Sequence, residues 1–178
     1  MPPIKQQTEA WLKNVIIHYN ICPFARAVVE KNAVHYCIDE AVITEENLQT
    51  LIEEAVRLDN DDEIETSLLI YANAFSEFDD FLDYLELANQ LLSLQDYDGV
   101  YQLASFHPRY CFEGADETDA ANYTNRSPYP MLHLIREASI EKALKFYPNP
   151  ERIPERNIKL TRELGLEKMQ ALLAACKT

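Results

Sequence analysis

The side chains that could do chemistry in this chain concentrate in one stretch, Asn122 to Glu137, which has the sequence "NYTNRSPYPMLHLIRE". It places two amides, two guanidinium groups and an imidazole within sixteen residues, and two prolines lie one residue apart. Most of these groups form hydrogen bonds, and few of them build an apolar core. The composition of the stretch therefore predicts a ligand site for a negatively charged molecule.

The two prolines suggest how such a site would be built. Pro128 and Pro130 each fix φ, and each biases the residue before it toward an extended conformation. Proline is favourable at the first position of a helix, so we predict a helix over residues 130–146. The free N–H groups and the dipole at a helix N-terminus favour an anion.

Polar side chains flank this predicted helix start. Asn125, Arg126 and Ser127 would stand just ahead of the N-terminus, where the guanidinium suits a carboxylate or phosphate. His133 and Arg136 are three residues apart, so on a helix they would share one face.

The candidate region extends upstream to residue 107. We expect little regular structure between residues 107 and 129, apart from an edge strand at 109–113, and a segment of this length is usually functional or disordered. Its aromatic content argues against disorder.

Proton exchange is assigned to His107 or His133, because imidazole titrates near neutral pH. Substrate contacts are assigned to Arg109, Tyr110, Asn122, Tyr123, Asn125, Arg126, Ser127 and Arg136. The hypothesis requires Arg109, Arg126 and Arg136 to converge on one cavity and to stay unneutralised there.

A purely structural interpretation uses the same residues. Asn and Ser before a helix are ordinary caps, and Arg126 or Arg136 could pair with a nearby carboxylate and pin a loop. His133 lies between Leu132 and Leu134, which is also typical of a partly buried histidine without a catalytic role.

The motif "ICPFAR", residues 21–26, is a second candidate. Cys22 precedes a proline that can begin a helix, and a thiol at a helix N-terminus near Arg26 can have a lowered pKa. Cys22 would then be a nucleophile if the fold brings it to the same cleft. The alternative is an inert, buried thiol between Ile21 and Phe24, and no C-x-x-C motif supports the reactive interpretation.

Two H-x3-C pairs raise the possibility of a zinc site. His18 precedes Cys22, and His107 precedes Cys111, but a proline junction gives each pair poor geometry for a shared metal. We predict neither a bound metal nor a cofactor.

Net charge excludes some partners. The chain carries −14 overall, and residues 39–98 hold eighteen Asp or Glu against one base, Arg57. Such a segment repels nucleic acid and anionic lipid, so we predict neither as a partner. No apolar run approaches the roughly 18 residues that a membrane span needs, and the N-terminus lacks a signal-peptide pattern. These features predict a cytoplasmic protein without a membrane partner.

Hydrophobic periodicity predicts the organisation of a single domain over residues 1–178. The middle of the chain alternates strand, helix, strand, helix, strand, which favours βαβ crossovers. We therefore predict an α/β fold, with a small, mostly parallel or mixed sheet of three to four strands flanked by N-terminal and C-terminal helices. The predicted helices are 5–19, 23–31, 44–58, 77–94, 130–146, 151–163 and 166–176, and the predicted central strands are 33–38, 67–72 and 100–106.

Three motifs carry a resemblance to a known family. They are "CPFA" at 22–25, "FHPRYCF" at 106–112 and "DAANYTNRSPYPMLHLIRE" at 119–137. With these motifs the chain resembles the bacterial domain-of-unknown-function family 1415. The resemblance implies a bacterial, cytoplasmic origin and supplies no mechanism.

Two functional hypotheses follow. The first is an enzyme that acts on a small anionic molecule bearing phosphate or carboxylate, at a pocket lined by Arg, Asn and His. The alternative is a non-catalytic module that senses a small anion, or that docks a basic partner protein through the acidic helices 44–58 and 77–94.

Overall fold

A four-stranded open sheet forms the centre of the computed structural model, which describes residues 3–178. The strands are β1 (Val34–Asp39), β2 (Thr66–Tyr71), β3 (Tyr101–Phe106) and β4 (Met131–Arg136), in the spatial order β1-β2-β4-β3. β1 is parallel to β2, and β4 is antiparallel to both of its neighbours, β2 and β3. The predicted α/β class with a small mixed sheet is therefore confirmed.

Helices precede, connect and follow the strands, as the periodicity predicted. Within the described residues, none of them has the length and apolarity needed to cross a bilayer. They are α1 (Ile4–Trp11, continued by a π-helical segment, Leu12–Ile17), α2 (Ala25–Glu30), α3 (Thr44–Asn60), α4 (Phe78–Leu94), α5 (Glu137–Leu144), α6 (Ile153–Leu164) and α7 (Leu166–Ala175). Short 3-10 turns occupy Ala120–Thr124 and Pro150–Arg152.

One face of the sheet is covered by α3 and α4, the helices of the two crossovers. Their apolar side chains recur at helical spacing, as with Leu51, Ala55 and Leu58 of α3, and these three are fully buried. Phe81 and Tyr84 of α4 join them in one core cluster against the sheet. The periodic pattern that predicted the two helices is therefore the pattern that buries them.

The opposite face of the sheet is covered by α1 and α7. Trp11 is 1% exposed, and its ring meets Phe106 of β3 edge-on, with 5.1 Å between centroids. Its indole N–H donates to the backbone oxygen of Arg126 at 3.0 Å. Met169 of α7 joins the same cluster. The sheet thus separates two cores, and the N-terminal helix is tied to the polar segment that precedes β4.

The predicted helix over 130–146 is wrong in its first part. Met131–Arg136 forms β4, the strand between β2 and β3, and helix α5 begins only at Glu137. The run "MLHLIR" is short, and such runs fit a buried strand as well as a helix. Pairing on both sides decides in favour of the strand, because both neighbours supply ladder hydrogen bonds.

The predicted edge strand at 109–113 is also wrong, because this segment forms turns. The Tyr110 N–H donates to the His107 carbonyl at 3.1 Å, as in a tight turn. The Phe112 N–H donates to the side chain of Asn122 at 3.0 Å. Local partners therefore take the N–H groups that a strand would have used in its ladder.

We expect Leu134→Ala to destabilise the protein strongly, because Leu134 is fully buried on β4 between the two flanking strands. The loss should be about 2–5 kcal/mol in the free energy of unfolding, measured by urea denaturation. Leu94→Ala is the matched control, since Leu94 is 78% exposed, and its effect should stay within about 0.5 kcal/mol. Equal losses for the two variants would contradict the central position of β4.

Candidate functional site

The segment over residues 107–130 lies at one end of the sheet. It leaves β3 at Phe106 and enters β4 at Met131, and these two residues are paired across the ladder. The same end holds the carboxyl ends of the parallel strands β1 and β2, where ligands bind in open α/β sheets. Most of the side chains that the sequence selected are in this segment.

His107 has both ring nitrogens engaged within the protein. It is fully buried, its Nδ1 accepts the Arg109 N–H at 3.0 Å, and its Nε2 therefore donates to the Phe75 carbonyl at 2.9 Å. Burial lowers the pKa of His107 from its ordinary value, so the ring is neutral at pH 7. Phe75 adopts φ of 59°, which is unusual for an aromatic residue. His107 thus holds a strained turn and has no nitrogen left to exchange protons with a ligand.

The two amides of the segment are occupied in the same way. Asn122 is fully buried, accepts the Phe112 N–H at 3.0 Å, and donates to the Asp116 carbonyl at 2.9 Å. Asn125 donates to the Ser105 carbonyl at 3.3 Å, beside the end of β3. Both side chains bind backbone groups, so they fix the course of the segment.

The hydroxyl and the aromatic candidates also have internal partners. Ser127 is fully buried and donates to the Tyr129 carbonyl at 2.5 Å. Tyr123 is buried in the core on the α1 side, and Tyr110 packs against Phe78 with 5.2 Å between ring centroids. Their contacts are those of structural residues.

Arg109 and Arg126 are engaged at the same end of the sheet. Arg109 pairs with Glu77 at 2.5 Å in an exposed ion pair. Arg126 donates to the carbonyls of Tyr110 and Glu117, both at 3.0 Å, and its guanidinium lies 4.7 Å from the centre of the Tyr123 ring.

Arg136 lies at the opposite end of the sheet. It pairs with Tyr101, the first residue of β3, whereas Arg109 follows the last residue of that strand. Its guanidinium donates to three backbone carbonyls, those of Leu58, Asp61 and Ile64. The three arginines therefore do not converge on one cavity, and a role for them in anion binding stays a prediction.

His133 points from the middle of β4 toward the α1 side of the sheet. The Thr66 hydroxyl donates to the Leu134 carbonyl at 2.6 Å, so the His133 Nε2–H donates to Thr66 at 2.7 Å. Burial lowers the pKa of His133 to about 4. The expected shared face with Arg136 is wrong, because residues three apart on a strand point to opposite faces.

Cys22 lies before α2, and that helix begins at Ala25, two residues later than the position of Pro23 suggested. Burial raises the pKa of Cys22, although the backbone N–H groups of Phe24 and Ala25 act in the opposite direction. The thiol is therefore protonated near neutral pH. It packs in the core on the α1 side, whereas His107 contacts Phe81 of α4. The structure does not bring these two catalytic candidates together.

A polar cluster that the sequence analysis did not select lies between α3 and the sheet. The carboxylate of Glu54 is 2% exposed and bonds His35 of β1, Ser67 of β2 and Arg57 of α3. Burial alone would raise the pKa of Glu54, but the hydrogen bonds from these three side chains lower it overall. A signal was present in the sequence, because an acidic residue stands within the apolar stripe of α3, and Arg57 is the one base in residues 39–98.

No metal centre marks the segment over residues 107–130. Within the part of the chain that the structure describes, no group of three or more His, Cys, Asp or Glu is arranged to hold a metal ion. An open hollow of about 330 Å³ lies on α6. Its lining residues are Tyr19, Arg156, Lys159, Leu160 and Glu163.

Comparison with known protein families gives a match over most of the chain. A family model described as "Protein of unknown function (DUF1415)" matches residues 3–171 of the 178. The chain belongs to this family. No curated protein and no solved structure matches it. Family membership confirms the resemblance carried by the three sequence motifs, and it assigns no activity to them.

We expect Asn122→Ala to lower the free energy of unfolding by about 1–3 kcal/mol, because it removes a fully buried amide and leaves the part-buried Phe112 N–H and Asp116 carbonyl without their partner. Urea denaturation measures this loss. Asn89→Ala is the matched control, since Asn89 is exposed on α4 and bonds only the carbonyl one turn earlier. A loss no larger than that of the control would show that Asn122 does not pin the segment.

The stability of the protein should fall as the pH drops from about 6.5 toward 4. The pKa of His133 is about 4 in the folded state and near 6.5 when unfolded, so the unfolded chain binds more protons in this window. Urea denaturation at a series of pH values should show a smaller decline for His133→Gln than for the wild type. The same substitution at the exposed His18 should leave the decline unchanged, and identical curves for wild type and His133→Gln would contradict the assignment.

Proposed function

We propose that the protein is a binding module that docks a basic partner protein on the outer surface of α3 and α4. The two helices pack side by side on the same face of the sheet, so their outward sides form one continuous surface. We call this surface the acidic face. Its exposed acids are Glu45, Glu46 and Glu53 of α3 together with Asp79, Asp80, Asp83 and Glu86 of α4.

The charge of the acidic face is uncompensated, and this observation carries the proposal. Among residues 3–178, no Lys, Arg or His forms an ion pair with any of these seven carboxylates. Helix α4 contains no basic residue, and the one base of α3, Arg57, is paired with the buried Glu54. A Lys- or Arg-rich surface would therefore be drawn to this face and oriented by it.

Exposed apolar side chains occur on the same two helices. Val56 of α3 and Leu82, Leu87 and Leu94 of α4 are all at least 42% exposed. Interfaces gain affinity mainly from apolar anchors, whereas surrounding charges set the rate and specificity of association. The combination suits a polypeptide that carries both basic and apolar residues, and it repels nucleic acid.

The hypothesis of an anion-directed enzyme or anion sensor has less support. Its guanidinium groups bind Glu77 or backbone carbonyls, and its amides bind the backbone of their own segment. The hypothesis required arginines that stay unneutralised around one cavity. Arg109 is instead paired with Glu77, and Arg136 lies at the opposite end of the sheet.

We expect a labelled peptide of Lys and Leu, spaced to form an amphipathic helix, to bind the acidic face in a salt-dependent manner. Replacing Asp79, Asp80, Asp83 and Glu86 by the corresponding amides should weaken binding about 10-fold, since each exposed charge contributes about 0.2–1 kcal/mol. Fluorescence anisotropy at low and moderate salt measures the effect.

The control variant makes the same change in net charge on a different surface of the protein. Glu141, Glu151, Glu155 and Glu167 are exposed on or near the C-terminal helices, and their replacement by Gln should leave the affinity almost unchanged. Equal weakening by the two sets would mean that the peptide responds to total charge, and the proposed face would be rejected.

A further inference from the structure

The Glu54 cluster has a geometry that goes beyond packing. His35 Nδ1 lies 2.6 Å from Glu54 Oε2, and the Ser67 hydroxyl donates to the same oxygen at 2.5 Å. Arg57 Nε donates to the other carboxylate oxygen, Oε1, at 2.9 Å. One buried carboxylate therefore orients an imidazole through one oxygen and a guanidinium through the other.

The carboxylate fixes which nitrogen of His35 is available. An ionised carboxylate only accepts hydrogen bonds, so Nδ1 carries a proton and Nε2 is the nitrogen that can exchange one. Within the described residues Nε2 has no hydrogen-bond partner, and the side chain is 31% exposed. The same logic holds a catalytic imidazole in its working tautomer in hydrolases with a carboxylate–His pair.

Two nearby nucleophiles are excluded by their own contacts. The Ser67 hydroxyl is fully buried and donates to Glu54, and its oxygen is 3.5 Å from Nδ1, the wrong nitrogen for its activation. Burial, reinforced by the charge of Glu54, raises the pKa of Cys37 to about 12, so that thiol stays protonated. Water is therefore the nucleophile that the cluster can activate.

Arg57 supplies the complementary group. Only its Nε is engaged by Glu54, and its two terminal nitrogens have no partner among residues 3–178. The side chain is 48% exposed and is anchored on the same carboxylate as His35. A guanidinium in this position can donate to an oxygen that gains negative charge during a reaction.

We infer that the Glu54 cluster is a hydrolytic site for carbonyl esters, with His35 as general base, Arg57 as oxyanion donor and Glu54 as positioning residue. The substrate class is a neutral or cationic ester. Anionic esters are disfavoured, because residues 39–98 carry eighteen acids against one base.

The reaction balances without a further reactant. Water adds to the ester carbonyl as His35 Nε2 takes one of its protons, and the carbonyl oxygen becomes an oxyanion that accepts hydrogen bonds from Arg57. The carbon–oxygen bond to the leaving group then breaks as the oxyanion collapses to a carboxylic acid, and His35 returns its proton to the leaving alkoxide or to solvent.

Hydrolysis of p-nitrophenyl acetate, a neutral ester, tests the inference through the release of nitrophenolate. His35→Ala should lower kcat/KM about 100-fold or more, because a positioned general base contributes about 10²–10⁴-fold. Arg57→Ala should lower kcat more than it raises KM, since the oxyanion forms only after binding. His18→Ala removes an exposed histidine elsewhere and should keep the wild-type rate.

Thermal melting should confirm that each variant is folded. If His35→Ala hydrolyses the ester at the wild-type rate, or if His18→Ala loses as much activity, the inference is overturned.

A second measurement needs no variant, because nitrogen NMR of the wild-type protein reports the imidazole tautomer. A neutral ring that is protonated on Nδ1, and that gains a proton on Nε2 only on acidification, supports the site. A neutral ring that is protonated on Nε2 alone rejects it.

Discussion

The antiparallel insertion of β4 between β2 and β3 is the constraint on which the rest of the structure depends. Both β2 and β3 pair with β4, so β3 is joined to the rest of the sheet only through β4. Because β4 runs opposite to β3, the chain enters β4 at the end of the sheet where β3 finishes. The segment over residues 107–130 therefore stays at that end and folds on itself. Its buried backbone groups must find partners within reach, since an unpaired buried N–H or carbonyl is costly.

This constraint explains why residues suited to a ligand form hydrogen bonds within the protein. Amides, hydroxyls and guanidinium groups serve ligand binding and loop fixation equally well, and burial decides between the two uses. Asn122 and Ser127 lose all contact with water, so their hydrogen bonds go to neighbouring backbone groups. The acids on the outer sides of α3 and α4 remain hydrated, so they need no hydrogen-bond partner from the protein. The carboxylates of the acidic face therefore stay exposed to solvent.

Glu54 shows the opposite case, in which a buried carboxylate orients side chains that reach the surface. A carboxylate inside the apolar stripe of α3 would be strongly destabilising if it stood alone. Three donors offset that cost, and two of them, His35 and Arg57, extend from the buried oxygen atoms to solvent. The interaction that stabilises the buried charge is thus the same one that fixes an imidazole and a guanidinium at the surface.

The sequence by itself determined most of the secondary structure. Strands β1 to β3 and all helices outside the 130–146 segment were predicted within two residues at each end, because their periodicity and caps are local properties. The local pattern of "MLHLIR" fits either a helix or a strand. It forms a strand because β2 and β3 pair with it on both sides. The tertiary structure also decided the site chemistry. Arg136 meets the Leu58 carbonyl across 78 positions of sequence, and His35 meets Glu54 across 19. Such partners are set by the packing of distant elements, which no local spacing of residues encodes.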